Sequence, residues 1–289
     1  MSFEVTSRDG TRIRGWANEQ EGLPLVIANG LGTTPEAWPA LVAHGSGYDA
    51  VSWYQRGTFG SARPADLSRI TVEDHVDDLV AVMDARGVER ALVACWSIGV
   101  NVAFVFAQRH PSRVAGILAV AGVPGGTFST MGGPLRIPRR LRKPISLRAA
   151  KLGRRAGRPV TWLTARIPAS ERTAWLLTHT GFMLPAARPE VVVPMLEQFL
   201  RHDWSWYVDL AIAAAEHEPM DLSFVSCPVT LVAGKHDVLT SMHDVIDIAA
   251  QIPHAHIRVL PGSHFLPLEY PAELHEALDD LALRAGFVR

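Results

Sequence analysis

The chain has 289 residues, of which 48% are hydrophobic and 20% are charged, and its formal net charge is −1. This length and hydrophobic content suit one α/β domain that contains an insertion and buries a large core, and the near-zero charge gives no reason to expect a nucleic acid partner. We predict a cytoplasmic protein for three reasons. The two cysteines lack metal or disulfide spacing, the N-terminus shows no signal-peptide pattern, and no apolar run is long enough to span a membrane.

Strand-like and helix-like segments alternate along most of the chain. An Asp9-Gly10 turn signal predicts a β-hairpin over residues 3–7 and 11–17. The other predicted elements are strands at 25–28, 50–54, 91–95, 114–121, 229–233 and 257–260, and helices from about 35 and over 71–86, 97–108, 242–251 and 271–285. Because the strands are rich in Val, Ile, Leu and Ala, we predict a doubly wound, mainly parallel α/β sheet that is covered on both faces.

Residues from about 124 to 220 interrupt this alternation, because prolines separate a series of helix-like pieces there. We therefore predict a helical cap at 124–220, inserted into an α/β core formed by residues 1–123 and 221–289.

The segment Cys95-Trp96-Ser97-Ile98-Gly99 joins the predicted strand at 91–95 to the helix that follows. A serine at a sharp turn between a strand and a helix is typical of a nucleophile elbow. The start of the helix places free backbone N–H groups and a partial positive charge beside this serine, as acyl transfer requires. Ser97 is therefore the candidate nucleophile, and the alternative is a helix N-cap without a catalytic role.

A serine nucleophile needs a base within hydrogen-bond reach, and the base needs an acidic partner. Residues 91–170 contain no Asp or Glu, so an acid that follows Ser97 in the chain must lie in the cap or in the last third of the chain. Asp237 and His264 each follow a predicted strand, where catalytic groups gather in open α/β sheets. They are the candidate acid and base, and Asp244 and Asp247 remain rivals for the acid.

The order Ser97, Asp237, His264 and the predicted elements resemble the α/β-hydrolase fold superfamily, in particular its capped serine hydrolases of the esterase or lipase type. Residues 3–123 and 228–285 match the layout of this family. The resemblance implies a Ser-His-Asp catalytic triad and no metal or organic cofactor.

Two further segments also resemble this family. Asn29-Gly30-Leu31-Gly32 is similar to its oxyanion segment, and the resemblance implies that the backbone N–H groups of Leu31 and Ile98 form the oxyanion hole. Residues 55–61 are similar to a loop that has a structural role in the family.

Two positions depart from the family pattern. Cys95 stands where the elbow usually has its first glycine, and Asn29 stands where the oxyanion segment usually has histidine. Neither change removes a catalytic atom, and we expect Cys95 to be a buried, unreactive thiol. Trp96 and Asn29 are candidates for the substrate pocket.

The basic start of the cap is the strongest charge asymmetry in the chain. Residues 136–158 contain ten cations and no acid: Arg136, Arg139, Arg140, Arg142, Lys143, Arg148, Lys151, Arg154, Arg155 and Arg158. We expect a solvated face paired with acids such as Asp66, Glu73 or Asp74, and the alternatives are contact with an anionic membrane or a funnel for an anionic substrate.

The aromatic residues of the later cap, among them Trp162 and Trp175, are expected to form mostly cap core and partly a wall of an apolar pocket.

The sequence therefore predicts a serine hydrolase that cleaves a carboxylic ester, or a related acyl bond, of a small apolar substrate through an acyl-enzyme. A hydrolase of C–C bonds in ring-fission products and a ligand receptor without turnover remain alternatives, because both are compatible with the same three residues. Family members that open epoxides or remove halides have Asp at the elbow, so Ser97 argues against both activities. The sequence is compatible with a monomer or a homodimer.

Overall fold

The computed structural model describes residues 1–131 and 137–287, and in this part of the chain eight strands form one sheet. The strands are β1 (Ser2–Thr6), β2 (Arg12–Ala17), β3 (Leu23–Ala28), β4 (Tyr48–Trp53), β5 (Ala91–Trp96), β6 (Val114–Val120), β7 (Val229–Gly234) and β8 (Ala255–Leu260). Their order across the sheet is β1-β2-β4-β3-β5-β6-β7-β8. The β1–β2 hairpin is antiparallel and pairs antiparallel with β4, whereas all other neighbours are parallel. The predicted hairpin and the predicted mainly parallel sheet are confirmed.

Helices cover both faces of the sheet. They are α1 (Pro39–Val42), α2 (Val72–Ala85), α3 (Gly99–Arg109), α4 (Thr127–Thr130), α5 (Arg139–Arg155), α6 (Gly157–Thr164), α7 (Glu171–Thr178), α8 (Pro189–Leu200), α9 (Trp204–Glu216), α10 (Met242–Ala249), α11 (Leu266–Glu269) and α12 (Pro271–Arg284). No described helix is both long and apolar enough to cross a membrane.

The predicted helix from about residue 35 is two short pieces, a 3₁₀ turn at Pro35–Ala37 and helix α1. Trp38 separates them with φ −113° and ψ 63°, outside the helical region. Trp38 precedes Pro39, and the proline ring disfavours helical geometry in the residue before it.

Alternate residues of the central strands pack on opposite faces of the sheet. In β5, Val93 and Cys95 belong to the cluster that includes residues of α2 and α3, whereas Leu92 and Ala94 belong to the cluster that includes residues of α1 and α12. Each cluster removes apolar surface from water, so the sheet forms the middle of a three-layer core.

The prediction that the strands are covered on both faces is wrong for β8. Its side chains Ile257 and Val259 are exposed. Since β8 is the last strand of the sheet, it has a hydrogen-bonded neighbour on one side only. An edge strand of this kind has fewer packing partners than a central one.

The helices between β6 and β7 are α4 to α9, and they all lie within residues 124–220, which we predict to be a cap. Helix α5 packs on α4 and α9, and α7 packs on α8. Residues 132–136 of this segment, including Arg136, and residues 288–289 of the core lie outside the described residues. The division into a core and a cap domain stays a prediction.

Candidate active site

The turn at Ser97 connects β5 to α3 and has a strained backbone. Ser97 has φ +56°, a left-handed conformation that is uncommon for residues other than glycine. Its amide donates a hydrogen bond to the carbonyl oxygen of Val120 at 3.0 Å, so the neighbouring strand β6 holds the turn. A Cβ atom at Gly99 would overlap the carbonyl group of Ala28, so glycine is needed for α3 to start so close to β3.

Cys95 lies in strand β5 just before this turn, and its side chain is buried. Its thiol donates a hydrogen bond to the carbonyl oxygen of Leu118 at 3.4 Å. Burial raises the pKa of the Cys95 thiol well above its usual value, so the reactive thiolate is disfavoured. The expected burial of Cys95 is confirmed.

Ser97, His264 and Asp237 form a chain of hydrogen bonds at the ends of three strands. The Ser97 hydroxyl lies 2.9 Å from Nε2 of His264, and Nδ1 of His264 lies 2.8 Å from Oδ2 of Asp237. Asp237 follows β7, and His264 follows β8. The carboxylate of Asp237 accepts the Nδ1 proton, so Nε2 is free to accept the proton of the Ser97 hydroxyl.

The other carboxylate oxygen of Asp237 fixes its orientation. Oδ1 accepts hydrogen bonds from the amides of Leu239 and Thr240, each at 2.8 Å. Asp237 is buried, and the structure places this carboxylate, not a group of α10, beside the imidazole of His264. The rivals Asp244 and Asp247 belong to α10.

Glu269 positions the loop that contains His264, and the sequence analysis missed it. Its buried carboxylate accepts hydrogen bonds from the amide of Ser263 at 2.7 Å, the hydroxyl of Ser263 at 2.6 Å and the amide of Leu184 at 2.7 Å. The Leu184 amide belongs to the segment between α7 and α8, so Glu269 joins this segment to the His264 loop. The sequence signal that could have indicated Glu269 is its position, five residues after the candidate base His264.

Leu31 and Ile98 lie beside Ser97 at the wall of the same cavity. Within the described part of the chain, neither backbone amide donates a hydrogen bond to another protein group. Unsatisfied amides are suited to bind a negatively charged oxygen, and the amide of Ile98 also stands at the start of α3. The geometry therefore places Leu31 and Ile98 at the cavity that contains the candidate nucleophile, and their role as oxyanion donors stays a prediction.

The side chains of Gln55 and His202 bind the backbone of Gly32, and the sequence did not indicate that either belongs to the site. The amide of Gly32 donates to Oε1 of Gln55 at 2.9 Å, and Nε2 of His202 lies 2.8 Å from the carbonyl oxygen of Gly32. Burial lowers the pKa of His202, so the neutral imidazole donates its Nε2 proton to this carbonyl. Gln55 begins the segment interpreted as a structural loop, whereas no local pattern indicated that His202 of the cap segment reaches the oxyanion segment.

The prediction that Asn29 lines the substrate pocket is wrong. Asn29 is buried behind the oxyanion segment, where its side-chain amide donates to the Ser52 hydroxyl at 3.0 Å and its side-chain oxygen accepts from Nε1 of Trp38 at 3.1 Å. These bonds hold the side chain between β3 and β4. Trp96 does line the cavity, and its indole N–H donates to the carbonyl oxygen of His264 at 2.8 Å.

A cavity of about 560 Å³ lies in front of Ser97, between the strand ends and helices α4, α7, α8 and α9. Its walls are mainly apolar, with contributions from Phe128, Phe182, Phe199, Trp204 and Phe265. Among the described residues, no Lys, Arg, Asp or Glu lines this cavity. The site is therefore suited to an uncharged, apolar ligand.

Not all aromatic residues of the predicted cap are buried. Trp162 is 60% exposed and Trp175 is 58% exposed. Trp162 stacks beneath the guanidinium of Arg166, and Trp175 stacks on the ring of His179. The expectation that such residues mostly form the cap core is wrong for these two, because their helix faces meet solvent.

The basic segment is partly paired, but with other acids than those we expected. Lys143 lies 2.5 Å from Glu218, Arg142 lies 3.6 Å from Asp244, and Arg154 forms an ion pair with Asp209. The three acids that we expected as partners contact residues outside the basic segment. Asp74 pairs with Arg69, Glu73 lies near His217, and Asp66 accepts hydrogen bonds from Ser68. Which acids the basic side chains meet therefore depends on the tertiary fold, which the sequence does not encode locally.

Comparison with known proteins identifies the family. The family model described as alpha/beta hydrolase fold matches residues 24–271. The chain belongs to the α/β-hydrolase family. The family and the names of its relatives support hydrolase activity as the general function of this chain.

Three similar proteins illustrate the range of this family. Epoxide hydrolase B of Mycobacterium tuberculosis is 33% identical in an alignment of 138 residues that covers 41% of this chain and 37% of the relative. RutD of Caulobacter sp. (strain K31), a proposed carbamate hydrolase, is 26% identical over 270 residues, 88% of each chain. The structure of a thermophilic esterase from Thermogutta terrifontis is similar with a TM-score of 0.71 over 99% of this chain and all of that one, at 19% identity, a level that shows the fold alone.

Proposed function

We propose that this hydrolase cleaves a carboxylic ester, or a related acyl bond, of a small uncharged substrate. The observation that supports this proposal is the hydrogen-bonded chain from Ser97 through His264 to Asp237, which ends in an apolar cavity beside two unpaired amides. A strained serine with a base, an orienting acid and amide donors is the arrangement that acyl transfer requires.

The reaction would start when Nε2 of His264 takes the proton of the Ser97 hydroxyl as the oxygen attacks the substrate carbonyl carbon. Asp237 would hold the imidazole in the required tautomer and stabilise its protonated form. The amides of Leu31 and Ile98 would donate to the oxyanion of the tetrahedral intermediate, and loss of one such donor typically removes about 3 kcal/mol of transition-state stabilisation.

Breakdown of the intermediate would complete the acylation step. The alcohol oxygen would receive the proton from His264 and leave, so that an ester of Ser97 remains. A water molecule would then lose a proton to His264 and attack this acyl-enzyme, and the acid would be released with the Ser97 hydroxyl restored.

The alternatives fit the site less well. A serine, not an aspartate, stands at the elbow, which argues against the epoxide chemistry named for one relative, whereas a carbamate contains an acyl bond that the same nucleophile could attack. For a ring-fission product that carries a carboxylate, no cationic side chain among the described residues lines the cavity to bind it. The complete hydrogen-bonded chain favours turnover over a receptor role.

The test is the Ser97→Ala variant, assayed with p-nitrophenyl esters of graded acyl length and with a ring-fission diketone. We expect kcat for the esters to fall by about 10⁴-fold or more while the fold is retained. Ser223→Ala, which changes an exposed serine outside the cavity, is the control and is expected to keep full activity.

A fluorophosphonate probe separates the alternatives. It is expected to label Ser97 in the wild type and in Ser223→Ala but not in Ser97→Ala. Ester turnover by Ser97→Ala close to that of the wild type would refute the proposal. Labelling of Ser97 without repeated turnover of any ester would favour the receptor, and turnover of the diketone alone would favour the C–C hydrolase.

A further inference from the structure

Tyr207, a residue of the cavity wall, has a hydroxyl group without a hydrogen-bond partner among the described residues. Tyr207 lies in α9, and its ring lines the cavity beside Ser97. Within the described part of the chain, the hydroxyl forms no hydrogen bond, and the ring lies against the rings of Phe199, His202 and Trp204.

The other polar side chains of the cavity wall each have a hydrogen-bond partner in the protein. The Thr33 hydroxyl donates to the carbonyl oxygen of Gly30 at 2.9 Å, and the Thr127 hydroxyl accepts from the amide group of Asn101 at 2.9 Å. The indole N–H of Trp204 donates to Thr164 at 2.8 Å. Apart from Ser97 and His264, which bind each other, Tyr207 is thus the exception among the described residues of this wall.

A hydroxyl in apolar surroundings is unfavourable unless a ligand or water completes its hydrogen bonding. Burial raises the pKa of Tyr207 far above its usual value, so the phenol stays protonated and neutral. A neutral phenol without an acceptor in the protein can donate to an oxygen atom of the ligand. No acidic side chain among the described residues lines the cavity and competes for this proton.

The position of Tyr207 places this donor next to the oxyanion segment. A Cβ atom added to Gly32 would lie 2.7 Å from Cε2 of Tyr207 and 2.6 Å from Nε2 of His202. The ring therefore packs directly on the segment that contains Leu31. A substrate whose carbonyl group is held at Ser97 extends into a cavity whose remaining walls are apolar.

Building on the proposed ester hydrolysis, we infer that the preferred substrates are uncharged esters with a second oxygen acceptor, such as an ether, hydroxyl or carbonyl oxygen, which accepts a hydrogen bond from Tyr207. A site with a fixed donor discriminates against an analogue that lacks the acceptor, because the donor then loses water without gaining a partner. Tyr207 is thus a specificity-determining residue that touches the substrate and not a member of the reacting chain.

The test compares p-nitrophenyl esters of straight-chain acids with matched esters in which one methylene group, at successive positions, is replaced by an ether oxygen. Wild-type enzyme is expected to show a higher kcat/KM for at least one ether ester than for its all-carbon analogue. In Tyr207→Phe, which removes only the hydroxyl, this ratio is expected to fall by about tenfold, the effect of one neutral hydrogen bond.

Tyr54→Phe is the matched control, because Tyr54 lies outside the cavity wall, and it is expected to keep the wild-type ratio. Thermal unfolding of both variants checks that they fold. The inference is overturned if no ether ester is preferred by the wild type, or if the preference survives in Tyr207→Phe. It is also overturned if Tyr207→Phe slows both ester types equally, because the hydroxyl then acts on the reacting ester itself. Absence of Ser97-dependent turnover with every ester would instead contradict the proposed function.

Discussion

At the scale of single residues, the oxyanion segment depends on two side chains that are distant in the sequence. Gln55 follows β4 and accepts from the amide of Gly32, and His202 precedes α9 and donates to the carbonyl oxygen of the same residue. Gly32 has φ +64°, and a side chain there would collide with His202 and Tyr207. Because Gly32 follows Leu31 directly, we expect these contacts to restrict the direction in which the Leu31 amide points.

We therefore predict that His202→Phe lowers kcat by about tenfold to a hundredfold through misplacement of the Leu31 donor, with little change in KM. His202→Gln retains an N–H donor at a similar distance and is expected to restore most of kcat. Steady-state kinetics and the inhibition constant of a trifluoromethyl ketone, which mimics the tetrahedral intermediate, measure the effect. Equal behaviour of the Phe and Gln variants, or a change in KM alone, would show that His202 contributes only to packing.

At the scale of elements, helix α5 has an exposed face of unusual composition. Leu141, Ile145, Arg148, Leu152 and Arg155 follow one another at spacings of four and three residues, so they lie on one side of the helix. The three apolar side chains are exposed. For Arg148 and Arg155, no ion pair occurs within the described part of the chain, whereas the opposite side of α5 packs on α9. A helix face that combines apolar and cationic side chains is suited to the surface of an anionic membrane.

Contact with anionic lipid stays a prediction, and this face defines its test. The protein is expected to float with vesicles that contain phosphatidylserine at low ionic strength and to dissociate at high salt, since each basic residue near the surface contributes about 1 kcal/mol. The double variant Arg148→Glu, Arg155→Glu is expected to lose this binding.

The matched control is the double variant Arg8→Glu, Arg90→Glu, which changes two exposed cations far from α5 in the sequence. It is expected to bind like the wild type. Failure of the wild type to float with anionic vesicles at low salt would end the hypothesis, and equal loss in both double variants would indicate a response to net charge alone. Self-association of the protein that is abolished by the α5 variant would identify a second copy of the chain as the partner.

At the scale of the whole molecule, Arg56 connects three parts of the chain. Its fully buried guanidinium donates to Asp78 of α2 at 2.7 Å and to Asp9 of the β1–β2 turn at 2.6 Å. Its carbonyl oxygen accepts the indole N–H of Trp206 in α9 at 2.7 Å. A buried cation needs such carboxylate partners because it has left water, so the hairpin and α2 meet at one satisfied charge, and α9 binds the backbone of the same residue. The structural role that we expected for residues 55–61 agrees with this arrangement.

Asp9 gives this network a dependence on pH. Burial by itself raises the pKa of Asp9, but the hydrogen bonds from Arg56 and from the amide of Thr11 outweigh burial, so the pKa lies below its ordinary value. A carboxylate whose pKa is lower in the folded than in the unfolded state stabilises the fold above the unfolded pKa. This contribution is lost as the pH falls through the folded pKa.

We predict that Asp9→Asn lowers the free energy of unfolding by about 2 kcal/mol near neutral pH, the typical contribution of a hydrogen bond to a charged group. The difference from the wild type is expected to stay constant down to about pH 4 and to shrink below it. Urea unfolding at a series of pH values measures this difference. Glu4→Gln, which removes an exposed ion pair with Arg12 in the same hairpin, is the control and should cost at most about 1 kcal/mol. A difference for Asp9→Asn that grows towards acid would contradict the assignment.

The sequence by itself predicted the mainly parallel sheet and the strained turn at Ser97, because an apolar strand, a turn and a helix start are consecutive in the chain. It also indicated Asp237 and His264, since both follow predicted strands and the carboxyl ends of parallel strands meet at one edge of the sheet. Candidate site residues of this kind depend on local pattern and on a general rule of topology.

Only the tertiary structure decided which side chains meet across long separations in the chain. It turned Asn29 away from the cavity, exposed Trp162 and Trp175 and brought His202 to Gly32. It also left the hydroxyl of Tyr207, in the cavity wall, without a partner among the described residues. The physical reason is that the composition of a segment specifies how much apolar surface it must bury but not which surface it meets. The docking of α4 to α9 on the core, and with it the shape of the cavity, follows from packing and hydrogen bonding between residues that are far apart in the sequence.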